Sequence, residues 1–257
     1  MAEALVIPST PINGVRVLAI NRPNKRNALS GELISVLLEQ LATAANDNVV
    51  RVIIVTGTST YFSAGADIKE ISEMDAEGAR GCRYLSNLCD GMRAVRKPLI
   101  AAVEGMALGG GFEVALMCDL IFASNVGRFG LPEITLGLIP GAGGTQRLTN
   151  VVGKFKAMQM ILLATPIPAT EAFSLGLVAQ LFEPGTVLEQ TIEIASKLAA
   201  SSATALSLAK EAVCRADDLG RDDEFERSLY YFAFGTQDKK EGIEAFLKKR
   251  QPNWQLE

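Results

Sequence analysis

Two β-branched runs, VRVLAI at 15–20 and VVRVIIVTG at 49–57, constrain the fold more than any other feature of the chain. Each is nearly continuous in apolar residues and ends in turn formers, the pattern of a buried strand. Between them, Ser30 precedes a segment in which Leu33, Ile34, Leu37, Leu38 and Leu41 recur at helical spacing. Ser30 is therefore expected to cap a helix that lays one face on a sheet. LIAAVEG at 99–105 reads as a third strand and DLIFAS at 119–124 as a fourth. A turn at Gly109–Gly111 and a helix start in FEVALMC lie between those two. Strands that alternate with helices imply a mainly parallel sheet or a stacked β/α coil. Residues 69–97 are polar, mixed in charge and expected to be helical. Beyond Gly153 strand signals become rare, KFKAMQMILLA reads as a helix, and from about residue 187 the pattern is helical throughout. The expected division is a mixed core over 1–197 and a helical region over 198–257, with no internal repeat.

Composition removes whole classes of chemistry. The chain of 257 residues contains no histidine, so neither a Ser-His-Asp nor a Cys-His site can be built, nor a His-containing zinc site. Proton transfer must fall to carboxylates, Lys, Tyr, Cys or water. Cys82, Cys89, Cys118 and Cys214 form no CxxC pair, which points to reduced thiols rather than a disulfide scaffold. A net charge of −4 gives no basic footprint for nucleic acid. No segment reaches the roughly 18 uninterrupted apolar residues of a membrane span. The start, MAEALVIPSTP, has neither the basic, apolar pattern of a secretory signal nor that of a transit peptide, and the chain ends QPNWQLE rather than in SKL. A cytoplasmic location is expected, with neither nucleic acid nor membrane as a partner.

Three glycine-bearing loops stand out: STYFSAGADIKE at 59–70, GMALGGGFEVA at 105–115 and LGLIPGAGGTQRL at 136–148. None fits a phosphate-binding fingerprint: GxxxxGK[ST] is absent, and the Gly109–Gly111 run does not extend to GxGxxG. Ser207 and Lys210 match SxxK without its companion motifs, a chance match on an expected helix. In the first two loops a strand passes through glycine-bearing backbone into a helix, which aims free N–H groups at an anion or a polarised carbonyl. Glycines alone would equally serve tight turns. Glu113 is what tips the reading, because it sits among Phe112, Val114, Ala115, Leu116 and Met117, where an ionised carboxylate is costly unless paired or hydrogen-bonded. A second acid, Glu133, lies in FGLPEITLGLIPGAGG; after a proline it would ordinarily be a solvated first-turn residue. If the two converge, burial and like charge would push their pKa values apart and provide one acid and one base.

The same motifs, in order, resemble the enoyl-CoA hydratase/isomerase, or crotonase, superfamily. The likeness runs through NRPNKRNAL at 21–29, FSAGADIKE at 62–70, IAAVEGMALGGGFEVALMCDLIFAS at 100–124, FGLPEITLGLIPGAGGTQRL at 129–148 and the tail KEGIEAFLKKRQPNW. It implies an α/β fold, a crotonase-like spiral of ββα units with a C-terminal helical trimerisation region, and a hexamer made of two trimers. It also implies an oxyanion hole at the backbone N–H groups of Ala66 and Gly110, holding the thioester oxygen of an acyl-CoA substrate. Glu113 then acts on the attacking water and Glu133 delivers a proton to the α-carbon, in roles that are coupled. Gly141 corresponds to a backbone donor that positions Glu133. Ala66, Asp67, Ile68 and Lys69 would line the adenine and pantetheine path, with Lys25 and Arg26 on the nucleotide phosphates. Phe246 and Lys249 match positions that reach the CoA of a neighbouring subunit. No cofactor is implied beyond the coenzyme A of the substrate, and no metal. Two departures stand out: Leu131 replaces the Gln often found two positions before the second acid, and Phe112 replaces a small residue. A double-bond isomerase or a specialised hydratase of the same superfamily would share most of these residues. An RNA-binding relative is disfavoured by the acidic balance and the lack of a dense lysine comb.

Overall fold

The computed structural model describes residues 4–72, 85–136 and 138–219, and, singly, residues 241, 248, 250 and 253. Its larger sheet has six strands in the order β1-β2-β3-β5-β7-β10. These are β1 Val6–Ile12, β2 Val15–Ile20, β3 Val52–Thr56, β5 Leu99–Val103, β7 Leu120–Ser124 and β10 Gln180–Phe182. All neighbours run parallel except β1 and β2, which form an antiparallel pair.

Alternation along these strands assigns each side chain to one of two cores. Val15, Val17, Val52, Ile54, Ile100, Ala102 and Phe122 form one apolar cluster with Val187 and Ala195 of the helix Val187–Ala199. Leu18, Ile20, Ile53, Val55, Leu99, Ala101 and Val103 face the other way, onto Leu33, Leu37 and Leu41 of the helix Gly31–Asn46. Covering both faces explains why the strand sequences read as unbroken apolar runs. The helix Gly31–Asn46 starts where expected, with Ser30 Oγ accepting the Leu33 amide at 3.2 Å.

A second sheet, β4-β6-β8-β9, carries the chain toward the glycine loops. It consists of β4 Tyr61–Ser63, β6 Met106–Leu108, β8 Arg128–Gly130 and β9 Ile167–Pro168. The first three are parallel and β9 closes the edge antiparallel. The helix Gly110–Leu116 follows β6 after Gly109 alone and lies against β4 so closely that a Cβ on Gly111 would fall 2.5 Å from Ser63 Cβ and 2.6 Å from its carbonyl oxygen. Only glycine permits that approach.

Several sequence expectations shift. Strand β1 was not anticipated, since VIPSTPI is largely solvent-exposed and carries two prolines, as an edge strand tolerates. Beyond Gly153 strands are short rather than missing, because β9 and β10 only close sheet edges. The helix expected in FEVALMC begins earlier, at Gly110. Within 69–97 the described residues show the helices Ile68–Ser72 and Ser86–Arg93. The helices Gly144–Val152, Lys154–Leu162, Ala169–Ser174 and Ala203–Leu219 complete the described part. The division at 197/198 falls in the last turn of Val187–Ala199, the helix that covers the sheet. Lys210, from the chance SxxK match, proves to be an anchor. Its ammonium sits 2.8 Å from Asp119 Oδ2 and donates to the Lys97 carbonyl at 3.0 Å, while the same Asp119 oxygen accepts the Leu99 amide at 2.7 Å. This ties the helix Ala203–Leu219 to the amino-terminal ends of β5 and β7.

The contact at Gly111 is expected to be unforgiving. Gly111→Ala should lower unfolding free energy by about 1–3 kcal/mol, the usual cost of overpacking, as read by urea denaturation; an unchanged midpoint would contradict the close approach.

Candidate active site

The helix Gly110–Leu116 presents Glu113 from its first turn into the interior, where the residue is 1% exposed. Its Oε1 accepts two backbone N–H groups, Ala142 at 2.7 Å and Gly144 at 2.8 Å. Gly144 is the first residue of the helix Gly144–Val152, so the carboxylate occupies the positive end of a helix that lacks any acidic residue of its own in that turn. A Cβ on Gly144 would lie 2.8 Å from Oε1, so a larger residue would push the carboxylate off its donors. Burial raises the Glu113 pKa, while the amides of Gly144, Ala142 and Gly141 and the charge of Arg147 pull it back; the net displacement is upward. The second oxygen, Oε2, faces Gly110, 4.0 Å from where a Cβ would stand.

Glu133 opens the 3-10 turn Glu133–Leu136. Its Oε1 lies 3.1 Å from the position a Cβ on Gly109 would take, and its Oε2 is buried without a hydrogen-bond partner among the described residues. Burial pushes its pKa up to about 7; its own amide opposes that rise, and the Glu113 charge adds to it. Two carboxyl groups 20 residues apart in sequence thus lie beside the adjacent glycines Gly109 and Gly110 and feel one another's charge.

The third component is backbone. Leu29 and Ala66 form a parallel bridge in which the Leu29 amide donates to the Gly65 carbonyl at 2.7 Å and the Asp67 amide to the Leu29 carbonyl at 3.0 Å. This leaves the Ala66 N–H pointing away from its bridge partner. Neither that N–H nor the N–H of Gly110, the first helical residue, donates to a described residue. The two are close: a Cβ on Gly110 would lie 3.7 Å from Ala66 N. The structure therefore brings Ala66, Gly110, Glu113 and Glu133 together.

Around this centre the other expected residues are distributed unevenly. Asp67 is clamped by Arg22 at 2.6 Å and accepts the Lys69 amide at 3.1 Å; the Arg22 bond holds its pKa low, and the nearby charge of Lys25 adds to that. Lys25, Arg26, Ile68 and Lys69 are exposed, and the Arg26 guanidinium lies over the Tyr61 ring, 5.6 Å from its centroid. Phe246 and Lys249 lie outside the described residues. Gly141 requires a correction. Its amide acts on Glu113 rather than on Glu133, because the turn before Gly144–Val152 wraps around the buried carboxylate.

Sequence reading missed several supporting groups. Asn27 is fully buried; its Oδ1 accepts the Arg22 amide at 2.8 Å and its Nδ2 donates to the Tyr61 and Phe62 carbonyls at 3.1 Å. It pins the NRPNKRNAL loop to β4, with both amide hydrogens donated and the oxygen accepting once. The Ala142 and Gly144 amides were also missed, although GAGGT ahead of a helix is the kind of stretch that turns N–H groups toward an anion.

Comparison with known proteins places the chain. A family model described as enoyl-CoA hydratase/isomerase matches residues 11–257. The chain belongs to the enoyl-CoA hydratase/isomerase family. It is 43% identical over 242 residues to 2,3-dehydroadipyl-CoA hydratase of Escherichia coli K12, covering 93% of this chain and 94% of that one. It is 45% identical over 241 residues to a probable enoyl-CoA hydratase of Rhizobium meliloti, covering 92% of each. The crystal structure of an enoyl-CoA hydratase from Bacillus anthracis superposes with a TM-score of 0.91 at 35% identity, covering 98% of this chain and 99% of that one. The fold is accordingly the crotonase fold expected from the sequence.

The two departures from the family pattern also find their places. Phe112 is fully buried with its ring centroid 5.3 Å from that of Phe129, so it belongs to the core behind the helix. Leu131 is fully buried too, and its hydrocarbon side chain offers Glu133 no hydrogen bond.

A carboxyl raised to about 7 binds its proton more tightly folded than unfolded, so between about pH 4.5 and 7 folding stability falls as pH rises. Glu133→Gln should relieve that loss. The variant should gain melting temperature over the wild type at pH 8 but not at pH 4, by about 2–4 °C for each kcal/mol relieved in a chain of this size. Parallel melting curves across this range would contradict the buried, unpartnered state of Glu133.

Proposed function

We propose that this protein is an enoyl-CoA hydratase, which adds water syn across the α,β double bond of an enoyl-CoA thioester. One observation carries the reading: two carboxyl groups in unlike surroundings flank a pair of undonated N–H groups, those of Ala66 and Gly110. The amides receive the thioester oxygen and stabilise the enolate as negative charge develops there; donors of this kind are worth about 3–4 kcal/mol each in other enzymes.

The unlike surroundings divide the work between the acids. Glu113 has one oxygen fixed by two N–H groups, which favours its anion and leaves Oε2 to accept a proton from water. Glu133, with a pKa of about 7 and no partner on Oε2 among the described residues, holds a proton to give at neutral pH. The water proton passes to Glu113, its hydroxyl bonds to the β-carbon, the π electrons move onto the thioester oxygen, and the α-carbon takes the Glu133 proton. Exchange of one proton from Glu113 to Glu133 resets the site, so the two titrate as a pair.

The rest of the assignment follows the same reading. Asp67, Ile68 and Lys69 line the CoA path beyond Ala66, with Gly141 bordering the acyl end, and Lys25 and Arg26 meet the nucleotide phosphates. Phe246 and Lys249 are contributed to a neighbouring subunit in a hexamer of two trimers. Exposed apolar side chains on 136–163, among them Ile139 at 72% and Phe155 at 88% exposure, suit burial in such an assembly. No cofactor beyond the CoA of the substrate takes part. Among the described residues no helix is long and apolar enough to cross a membrane. The enzyme acts in the cytoplasm and binds no nucleic acid.

Glu113→Gln and Glu133→Gln should each lower kcat for crotonyl-CoA hydration by about 100-fold to 10,000-fold, read from loss of the conjugated thioester absorbance, while the fold and hexamer persist. Near-wild-type turnover in either variant removes that acid from the mechanism, and activity confined to non-conjugated enoyl-CoA substrates would mark an isomerase instead. In the wild type, kcat/KM for hydration should decline as pH rises through about 7, where Glu133 gives up its proton.

A further inference from the structure

We propose that Arg147 is a positioning residue for Glu113, acting through the backbone of Ala142 and through its own charge. This inference rests on Glu113 serving as the base. Arg147 lies in the first turn of the helix Gly144–Val152, at the end where a helix disfavours positive charge. Something must offset that placement, and the side chain shows what does. Helical side chains lean toward the N-terminus, and Arg147 curls back over the turn so that its Nη1 donates to the Ala142 carbonyl at 3.1 Å. A Cβ on Gly143 would collide with that same nitrogen, which shows how tightly the guanidinium spans the turn.

The residue it holds is the one that matters: its carbonyl and its N–H belong to consecutive peptide units hinged at the Ala142 Cα. The Ala142 residue carries a carbonyl fixed by Arg147 and an N–H that makes the shorter of the two bonds to Glu113 Oε1, 2.7 Å. Arg147 thereby grips the turn 141–143 from outside while Glu113 grips it from inside. With Oε1 fixed, Oε2 is aimed toward Gly110 and Ala66. Among the described residues, the groups whose charge bears on Glu113 come from three elements. They are Arg147, Glu133 of the 3-10 turn, and the thiol of Cys89 in the helix Ser86–Arg93, a thiol held neutral because burial raises its pKa. Arg147 is the cation among them, and it favours the Glu113 carboxylate.

Two variants separate position from charge. Arg147→Gln keeps a donor for the Ala142 carbonyl but removes the cation, and Arg147→Lys keeps the cation but loses the planar fork. Steady-state hydration of crotonyl-CoA is measured against pH for both, with thermal melts as the check on folding. For Arg147→Gln the acidic limb of kcat/KM should move upward by about half a pH unit, since the Glu113 carboxylate loses a favourable charge. For Arg147→Lys that limb should stay in place. In Arg147→Lys kcat should fall by about 10-fold or more while KM stays within about twofold, the mark of a misaligned catalytic group rather than weakened binding, whereas Arg147→Gln should keep its plateau kcat within about threefold. Cys89→Ser is the control and should leave the limb unmoved.

An Arg147→Gln enzyme with wild-type kcat and an unmoved limb overturns the proposal. So does equal displacement of the limb in Arg147→Lys and Arg147→Gln, which would make the effect a loss of packing. If Arg147→Gln does not fold, the Arg147→Lys profile decides: kcat lowered with the limb in place supports the role, and an unchanged kcat defeats it. Glu113→Gln, run alongside, keeps the two readings apart. If that variant turns over normally, the base assignment fails; if it is inactive while the Arg147 variants match the wild type, only the role of Arg147 fails.

Discussion

A single buried carboxylate, held on one oxygen by two main-chain amides, organises everything around it. Glu113 cannot shed its desolvation cost into water, so it recruits the N-terminus of the helix Gly144–Val152 and the turn before it. That bond crosses from the helix Gly110–Leu116 to a segment some 30 residues later, and it fixes where the later segment can lie. Glu133, which stands between the two in sequence, is carried into the same space. The compensation is partial, because burial still outweighs the amides and leaves the pKa raised. A site that does acid–base chemistry without histidine needs that imbalance, since a fully compensated carboxylate would bind no proton at neutral pH.

The scaffold supplies precision where side chains cannot. Ala66 and Gly110 contribute main-chain N–H groups, whose direction is set by the Leu29–Ala66 bridge and by the contact of Gly111 against Ser63. Asn27 locks the preceding loop to β4, and Arg22 locks Asp67. Two charged residues near the centre, Arg22 and Arg147, thus hold loops in place. Each donates to a backbone carbonyl, Ala28 or Ala142, in a segment that bears on the reacting groups. Loops held in this way can border a reaction centre with little reorganisation, which is how preorganised dipoles lower a barrier.

Much of this was legible in the chain, and the rest was hidden for physical reasons. Strands β2, β3, β5 and β7 announced themselves as nearly unbroken apolar runs buried on both faces, and the helix Gly31–Asn46 by apolar residues at helical spacing. Strand β1 did not, since an exposed edge strand has no apolar pattern to show. The small sheet was invisible because three-residue strands fall below the length at which alternation can be recognised. Glu113 was identifiable as a carboxylate stranded among apolar neighbours. Glu133 was visible as a second acid among apolar residues and glycines, but its role came only through family likeness, because after Pro132 it looks like an ordinary first-turn acid. The hydrogen bonds from Ala142 and Gly144 were signalled only by GAGGT ahead of a helix, a stretch that offers donors without saying which acceptor they meet. The same ambiguity misdirected Gly141 toward the wrong glutamate: spacing places it in the correct loop but does not say which carboxylate the loop encloses.

The clasp between Lys210 and Asp119 also governs how the helix Ala203–Leu219 can move. A helix fastened to the rim of a buried sheet by an ion pair and a bond to the Lys97 carbonyl behaves as a strut, not a hinge. Detaching it would first require prising a half-buried ammonium from its carboxylate.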